Sequence, residues 1–372
     1  MKDIFTPADI LLPVENVDLA RWTVIACDQY SADLPYWEKL EAYVGEAPSA
    51  LRLMLPEAYL HAPDLAERQS ILPETMYRYL ESKVFRTIEN SFVYIERTLP
   101  NGKLRRGLLG KLDLEAYDWT IGSQSPVRST EATVAERLPV RVALRRAVPL
   151  EMPHIVLFAD DPENRVFSAV TTGELLYDFN LYNNSGHLRG FRVSGAEAER
   201  VQAVLNAMEG NPVFAMGDGN HSLAAAKNHW EELKAAGAPM NHPARWALAE
   251  VENVRDDAVE FFPIHRVLYD TDEGGFVRQL QGPDTGALVA EADAFCRDYI
   301  AAHGGHVDYI HGDEAARADA QKPGGAALLL PTLPKAELFP HIASSGNYPK
   351  KSFSVGHSVD KRWYLECRKI IP

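Results

Sequence analysis

The strongest constraint on this chain is the run NPVFAMGDGNHSLAAAKNHWEELK at residues 211–234. It opens as a short apolar stretch of strand character. It then crosses a polar turn with two glycines and continues with Leu223, Ala226, Trp230 and Leu233 at helical spacing. A glycine turn between a strand end and a helix start gathers unpaired backbone N–H groups at the positive end of the helix dipole, a setting that suits an anion. Gly217 and Gly219 allow close approach of a phosphate and positive φ. Asn220 or Ser222 can cap the helix or bond an oxygen. His221 can donate to a phosphate or carry a proton. Asp218 can act as a base or as a Mg²⁺ ligand. The alternative is a plain Asp-Gly-Asn turn with Asn220 as the cap. The Walker loop, the dinucleotide glycine fingerprint and the calcium loop are all absent.

The rest of the chain sets that loop in an ordinary globular context. Lys and Arg total 38 against 52 Asp and Glu, a net charge of −14. That balance disfavours nucleic acid polymers and anionic membrane surfaces as partners, and leaves room for a small anion in a locally positive pocket. The cysteines Cys27, Cys296 and Cys367 are far apart, so neither a zinc knuckle nor a disulfide framework is expected. No apolar run approaches a membrane span, and the acidic residues and prolines of MKDIFTPADILLPVENV argue against a secretory signal. A cytoplasmic location is the expectation.

Strand signals are read at residues 23–26, in SFVYIERTL and NGKLRRGLLGKL as a hairpin, and in VRVALRRA, HIVLFAD, RVFSAVTT, HLRGFRV, PVFAMG and RWALAEVENV. Helices are expected in LPYWEKLEAYV, ETMYRYLESKVFRTI, STEATVAERL, GAEAERVQAVLNAME and EADAFCRDYIAAHGG. RWYLECRKIIP reads as a terminal strand. The irregular alternation predicts an α+β fold with mixed sheets. Three regions are expected: 1–115, a strand-rich 116–270 carrying the loop, and a smaller 271–372.

FAMGDGNHSLAAAK resembles the Asp-Gly-His/Asn-His signature of the prokaryotic "domain of unknown function 1015" family. WTVIACDQYSADLPYWEKLE, RSTEATVAERLPVR, HPARWALAEVENV and KKSFSVGHSVDKRWYLECRK are similar to further blocks of its longer members, so the resemblance spans essentially the whole chain. The turn also resembles the phosphate loop of ParB/sulfiredoxin-like proteins, among them free serine kinases. That resemblance implies a ParB/sulfiredoxin-like core and a nucleotide phosphate at residues 217–222. Two departures stand out. Ser222 follows His221 where related loops carry Arg, so another cation must serve. Asn220 stands where sulfiredoxin chemistry needs Cys, which argues against sulfur reduction.

Candidates for the missing cation are Arg128, Arg137 and Arg141, and Lys350 and Lys351 in SSGNYPKKSFS. Glu131 is a candidate base on the resemblance; its alternative is an ordinary solvated helix residue. Asp28 ends the strand TVIACD, where sites often lie, and the serine kinase resemblance puts it forward as a base. His265 can join His221 in a metal site or serve as a structural histidine. The function expected is ATP- and Mg²⁺-dependent phosphoryl transfer to a small hydroxyl compound such as free serine. The alternatives are a nucleotide sensor without turnover and a metal-assisted hydrolase.

Overall fold

The computed structural model describes residues 3–372 except Val134, Pro153 and Thr172, and leaves aside the side chain of Arg137. The protein is α+β. Among the described residues, eleven strands form one mixed sheet and five form a second. The large sheet runs Leu175–Asn180, His187–Val193, Phe85–Thr98, Leu104–Asp113, Trp246–Asn253, Val156–Ala159, Phe214–Asp218, Val127–Arg128 and Tyr117–Asp118, with Phe5–Thr6 and Ala8–Pro13 pairing onto it at the side. The second sheet runs Val277–Gln279, Ala326–Leu329, Phe261–Tyr269 and His306–His311, and Phe353–Val355 pairs with the start of Phe261–Tyr269. Strands from Phe5 to Asn253 thus belong to the first sheet, save Val24–Ile25 and Leu150–Glu151, which pair with the tail, and those from Phe261 to Val355 belong to the second.

The hairpin forms as its turn chemistry predicts. Leu99 N–H donates to the Lys103 carbonyl at 2.8 Å, and Gly102 supplies φ +82°. Helix Leu34–Val44 starts at Asp33, whose carboxylate accepts from Tyr36 N–H, and stops at Gly45. Trp22, Trp37 and Trp230 are fully buried and anchor the apolar clusters that flank the large sheet.

Several local readings are overturned. VRVALRRA is helical (Leu138–Ala147), because Leu138 and Val142 bury one face and the helix packs on Asn220–Ala235. Tertiary packing there overrides the strand preference of valine. RVFSAVTT contributes one helical turn, Arg165–Ser168, with Val166 N–H held by Asp161 at 2.9 Å. Helix Leu65–Glu81 ends before Lys83, which takes φ +55°, and Phe85–Thr98 is strand rather than a continuation of the helix. Residues 129–131 are not helical: Thr130 lies in a bend and Glu131 is bridged to Tyr348, so no helix starts at Thr130. The tail makes two short strands on different partners: Trp363–Tyr364 on Val24–Ile25, and Arg368–Lys369 on Leu150–Glu151.

Candidate functional site

The glycine turn is where the sequence placed it. Phe214, Ala215 and Met216 are buried in the strand Phe214–Asp218, and the helix Asn220–Ala235 follows at once. Gly217 passes under the Phe158 ring, where a Cβ would stand 2.8 Å from a ring carbon. Gly219 is the helix cap at φ +79°, and a Cβ there would stand 3.1 Å from Ile155 Cα. Its N–H donates to Asp218 Oδ1 at 2.8 Å. The helical ladder starts with Leu223 N–H on the Gly219 carbonyl at 3.0 Å. The first-turn amides after the cap therefore stand at the positive helix end, outside that ladder. Asn220 Oδ1 is buried there without a hydrogen-bond partner among the described residues.

This turn opens into a cleft of about 1150 Å³. From the first sheet and its connections come Asp28, Glu131, Gly217, Asp218, Asn220 and His221; from the C-terminal part come Tyr309, His311, Lys350, Lys351, His357 and Lys361. The cations cluster. Lys361 Nζ lies 3.2 Å from Asp218 Oδ2. Burial, with Lys351 and Lys361 nearby, lowers the affinity of His311 for its proton. Lys350, Lys351 and Lys361 thus bring to the cleft the positive charge that Ser222 does not supply.

Glu131 is engaged rather than free. Its carboxylate accepts from the amides of Lys351 at 3.1 Å, Ser352 at 2.9 Å and Phe353 at 3.3 Å. Burial pushes this carboxyl up, and the amides offset only part of that. Lys351 itself takes φ +61°, a strained backbone for a lysine, and the Glu131 contacts hold it. Arg128 is buried, donating to the carbonyls of Ser125 at 2.8 Å and Ile342 at 3.3 Å, and does not line the cleft. His265 is spent on the fold: Nδ1 accepts from Leu330 N–H at 3.1 Å and Nε2 meets Asp313 at 3.0 Å.

Behind the loop lies a second pocket of about 130 Å³, lined by Gly219 to Ser222 with Cys27, Asp28, Glu57, Arg141, His154 and Asp218. Arg141 pairs with Glu57 and brings a cation to the helix side of the loop. His154 was missed in the sequence. It stands alone in EMPHIV, just before the strand Val156–Ala159, and no local pattern marks it. Yet donor atoms of Asp28, His154 and Asp218 all lie within 4.8 Å of one another. Burial pushes the Asp28 carboxyl up, but His154, the Gln29 amide and Lys361 outweigh it and keep the group below its ordinary range. Asp28 therefore stays an anion at neutral pH. No helix among the described residues is long and apolar enough to cross a membrane.

The chain belongs to the DUF1015 family, proteins of unknown function, which it matches over residues 10–366. No protein of curated function matches it. Among solved structures it is similar to a free serine kinase in complex with AMP, at 11% identity and a TM-score of 0.35, covering 73% of this chain and 94% of that one. It is also similar to a conserved hypothetical protein from Pyrococcus furiosus, at 12% identity and a TM-score of 0.34, covering 70% and 94%.

Proposed function

We propose that this DUF1015 protein is a nucleotide-dependent phosphotransferase with a ParB/sulfiredoxin-like core, moving a phosphoryl group from ATP to a small hydroxyl-bearing metabolite, with free serine the first acceptor to try. One observation carries this reading: a glycine-capped helix N-terminus, three lysines and the aspartates Asp28 and Asp218 are among the groups that line a single cleft large enough for a nucleotide and a small acceptor.

Each group then has a role. The amides of Asn220 to Ser222 bind the β- and γ-phosphates, as helix N-termini do, while the Gly219 N–H stays on Asp218. Lys350 and Lys351 close on the phosphates from the opposite wall, with Glu131 as the residue that positions them. His221 donates to the transferring group as its charge spreads. Asp28, kept anionic, takes the acceptor's hydroxyl proton. Asp218 is the carboxylate for Mg²⁺, which when bound neutralises charge on the phosphates. The protein's share of catalysis is mostly positioning and electrostatics.

Calorimetric titration with Mg-ATP, followed by ADP release over a panel of hydroxyl compounds, tests the reading. Binding at micromolar to millimolar ATP is expected, with turnover lost in Asp218→Asn. No heat at millimolar nucleotide sinks the proposal. Binding without ADP release on any acceptor turns the protein into a nucleotide sensor.

A further inference from the structure

The trio Asp28, His154 and Asp218 carries a consequence that phosphoryl transfer does not require. His154 is only 5% exposed, and its Nδ1 lies 2.7 Å from the Tyr364 hydroxyl. The Tyr364 O–H in turn donates to Cys27 Sγ at 3.2 Å. With the Tyr364 O–H on sulfur, its oxygen is open to accept from Nδ1–H, the tautomer that a metal on Nε2 requires. Nε2 is left with a lone pair. It makes no hydrogen bond among the described residues, and the ring lines the small pocket beside Asp28 and Asp218.

Two carboxylates beside an imidazole nitrogen favour a cation among them; Lys361, 3.2 Å from Asp218 Oδ2, supplies one charge, and a divalent ion would supply more. The spacing suits one. Three ligands at ~2.1 Å from one ion lie about 3.0–3.6 Å apart, so donor atoms that now lie within 4.8 Å of one another would close by about an ångström as the ion binds. A histidine nitrogen among the ligands disfavours Mg²⁺, which prefers oxygen, and favours first-row transition metals. A ligating imidazole commonly donates its other N–H to a carboxylate, backbone carbonyl or water; here the Tyr364 hydroxyl stands in that place.

We propose that Asp28, His154 and Asp218 form a divalent transition-metal site, with His154 Nε2 as the nitrogen ligand and Tyr364 fixing its tautomer. The site is separable from ATP binding, because all three ligands belong to the chain and the ion binds without nucleotide; with the ion bound, it takes the place given above to Mg²⁺ at Asp218, and Asp28 is a ligand rather than the proton acceptor. Lys361, 3.2 Å from Asp218, competes with the ion for that carboxylate.

The probe is Mn²⁺ on the full chain after chelator dialysis, with free Mn²⁺ followed by electron paramagnetic resonance, nucleotide absent, and Mg²⁺ added as competitor. One Mn²⁺ per chain is expected, bound at least tenfold more tightly than Mg²⁺. His154→Gln should erase that preference, and Tyr364→Phe should weaken Mn²⁺ about 10–100-fold. Lys361→Ala should tighten it several-fold, a gain that misfolding cannot mimic. No retained Mn²⁺ at millimolar concentration overturns the site. Equal affinity for Mn²⁺ and Mg²⁺ in the parent overturns the nitrogen ligand. Since ATP binding is measured separately, failure here leaves the phosphotransfer reading standing, and the reverse holds as well.

Discussion

Lys361 and Arg362 are neighbours in the chain and serve opposite ends. Lys361 lines the cleft and meets Asp218, a partly accessible carboxylate. Arg362 turns inward, donating to Glu250 and Glu366 at 2.7 Å each, with all three side chains almost wholly buried. The inward network is closed on itself. Tyr177 donates to Glu366 at 2.6 Å, and Arg97 and Arg105 donate to the carbonyls of Val359, Asp360 and Lys361 at 2.6–2.8 Å. The outward cluster around Asp28 and Asp218 is left open to a cavity. The same residue types therefore do two jobs, and what separates them is whether their partners are internal. The closed set fixes the backbone from which the open set reaches.

The largest effect should come from breaking the closed set. Arg362→Ala strands Glu250 and Glu366 in the interior and should cost about 3–5 kcal/mol. Lys361→Ala, one residue away, should stay within about 1 kcal/mol of the parent, because its partner can rehydrate. Denaturant unfolding of the two variants side by side measures the contrast. Equal losses would dissolve the distinction between the two regions.

A subtler break uses pH. Arg105 Nε stands 3.0 Å from Glu252 Oε1, yet out of line for a hydrogen bond, so both atoms are buried without one. Burial, with help from Glu250, pushes the Glu252 carboxyl up to about 7 despite the pull of Arg105. An unfolded Glu titrates near ~4.3. With the folded value the higher, the contribution to stability is whole below about pH 4.3 and is lost as pH rises through about 7. Glu252→Gln stays neutral and should remove that decline. Melting curves from about pH 5 to about pH 8 should show the parent losing stability relative to the variant. Parallel profiles would mean that Glu252 is ionised throughout.

The two regions also differ in how far the sequence disclosed them. The turn at 217–222 was legible because strand, glycines and helix are consecutive, and Asp28, Lys350 and Lys351 showed themselves at a strand end and in a Pro-bounded loop. The cleft gathers them all. His154, Lys361 and Tyr364 were not legible. Each stands alone in its local sequence, and His154 meets Tyr364 across 210 residues, a pairing no periodicity encodes. The closed network was hidden for the same reason. The helix Leu138–Ala147 was misread because its valines look like strand until the helix Asn220–Ala235 is there to pack on.

The smallest expected effect falls on the seam between the regions, at Glu131. Here the sequence suggested a base and the geometry makes a strut, and the two roles separate cleanly. A strut carboxylate accepting three amides holds the loop that presents Lys350 and Lys351, and it keeps Lys351 in its left-handed backbone. Glu131→Gln retains one acceptor oxygen and sets an NH₂ group against the remaining amides. It should cost about 1 kcal/mol of loop order, seen as ATP binding weakened roughly three- to tenfold. The maximal rate at saturating nucleotide should change little, because a strut acts before the chemical step. If the rate collapses by orders of magnitude while ATP affinity holds, Glu131 is the proton acceptor after all. Asp28 would then lose the role assigned to it, and the catalytic carboxylate would sit on the lysine-bearing wall of the cleft rather than beside Asp218.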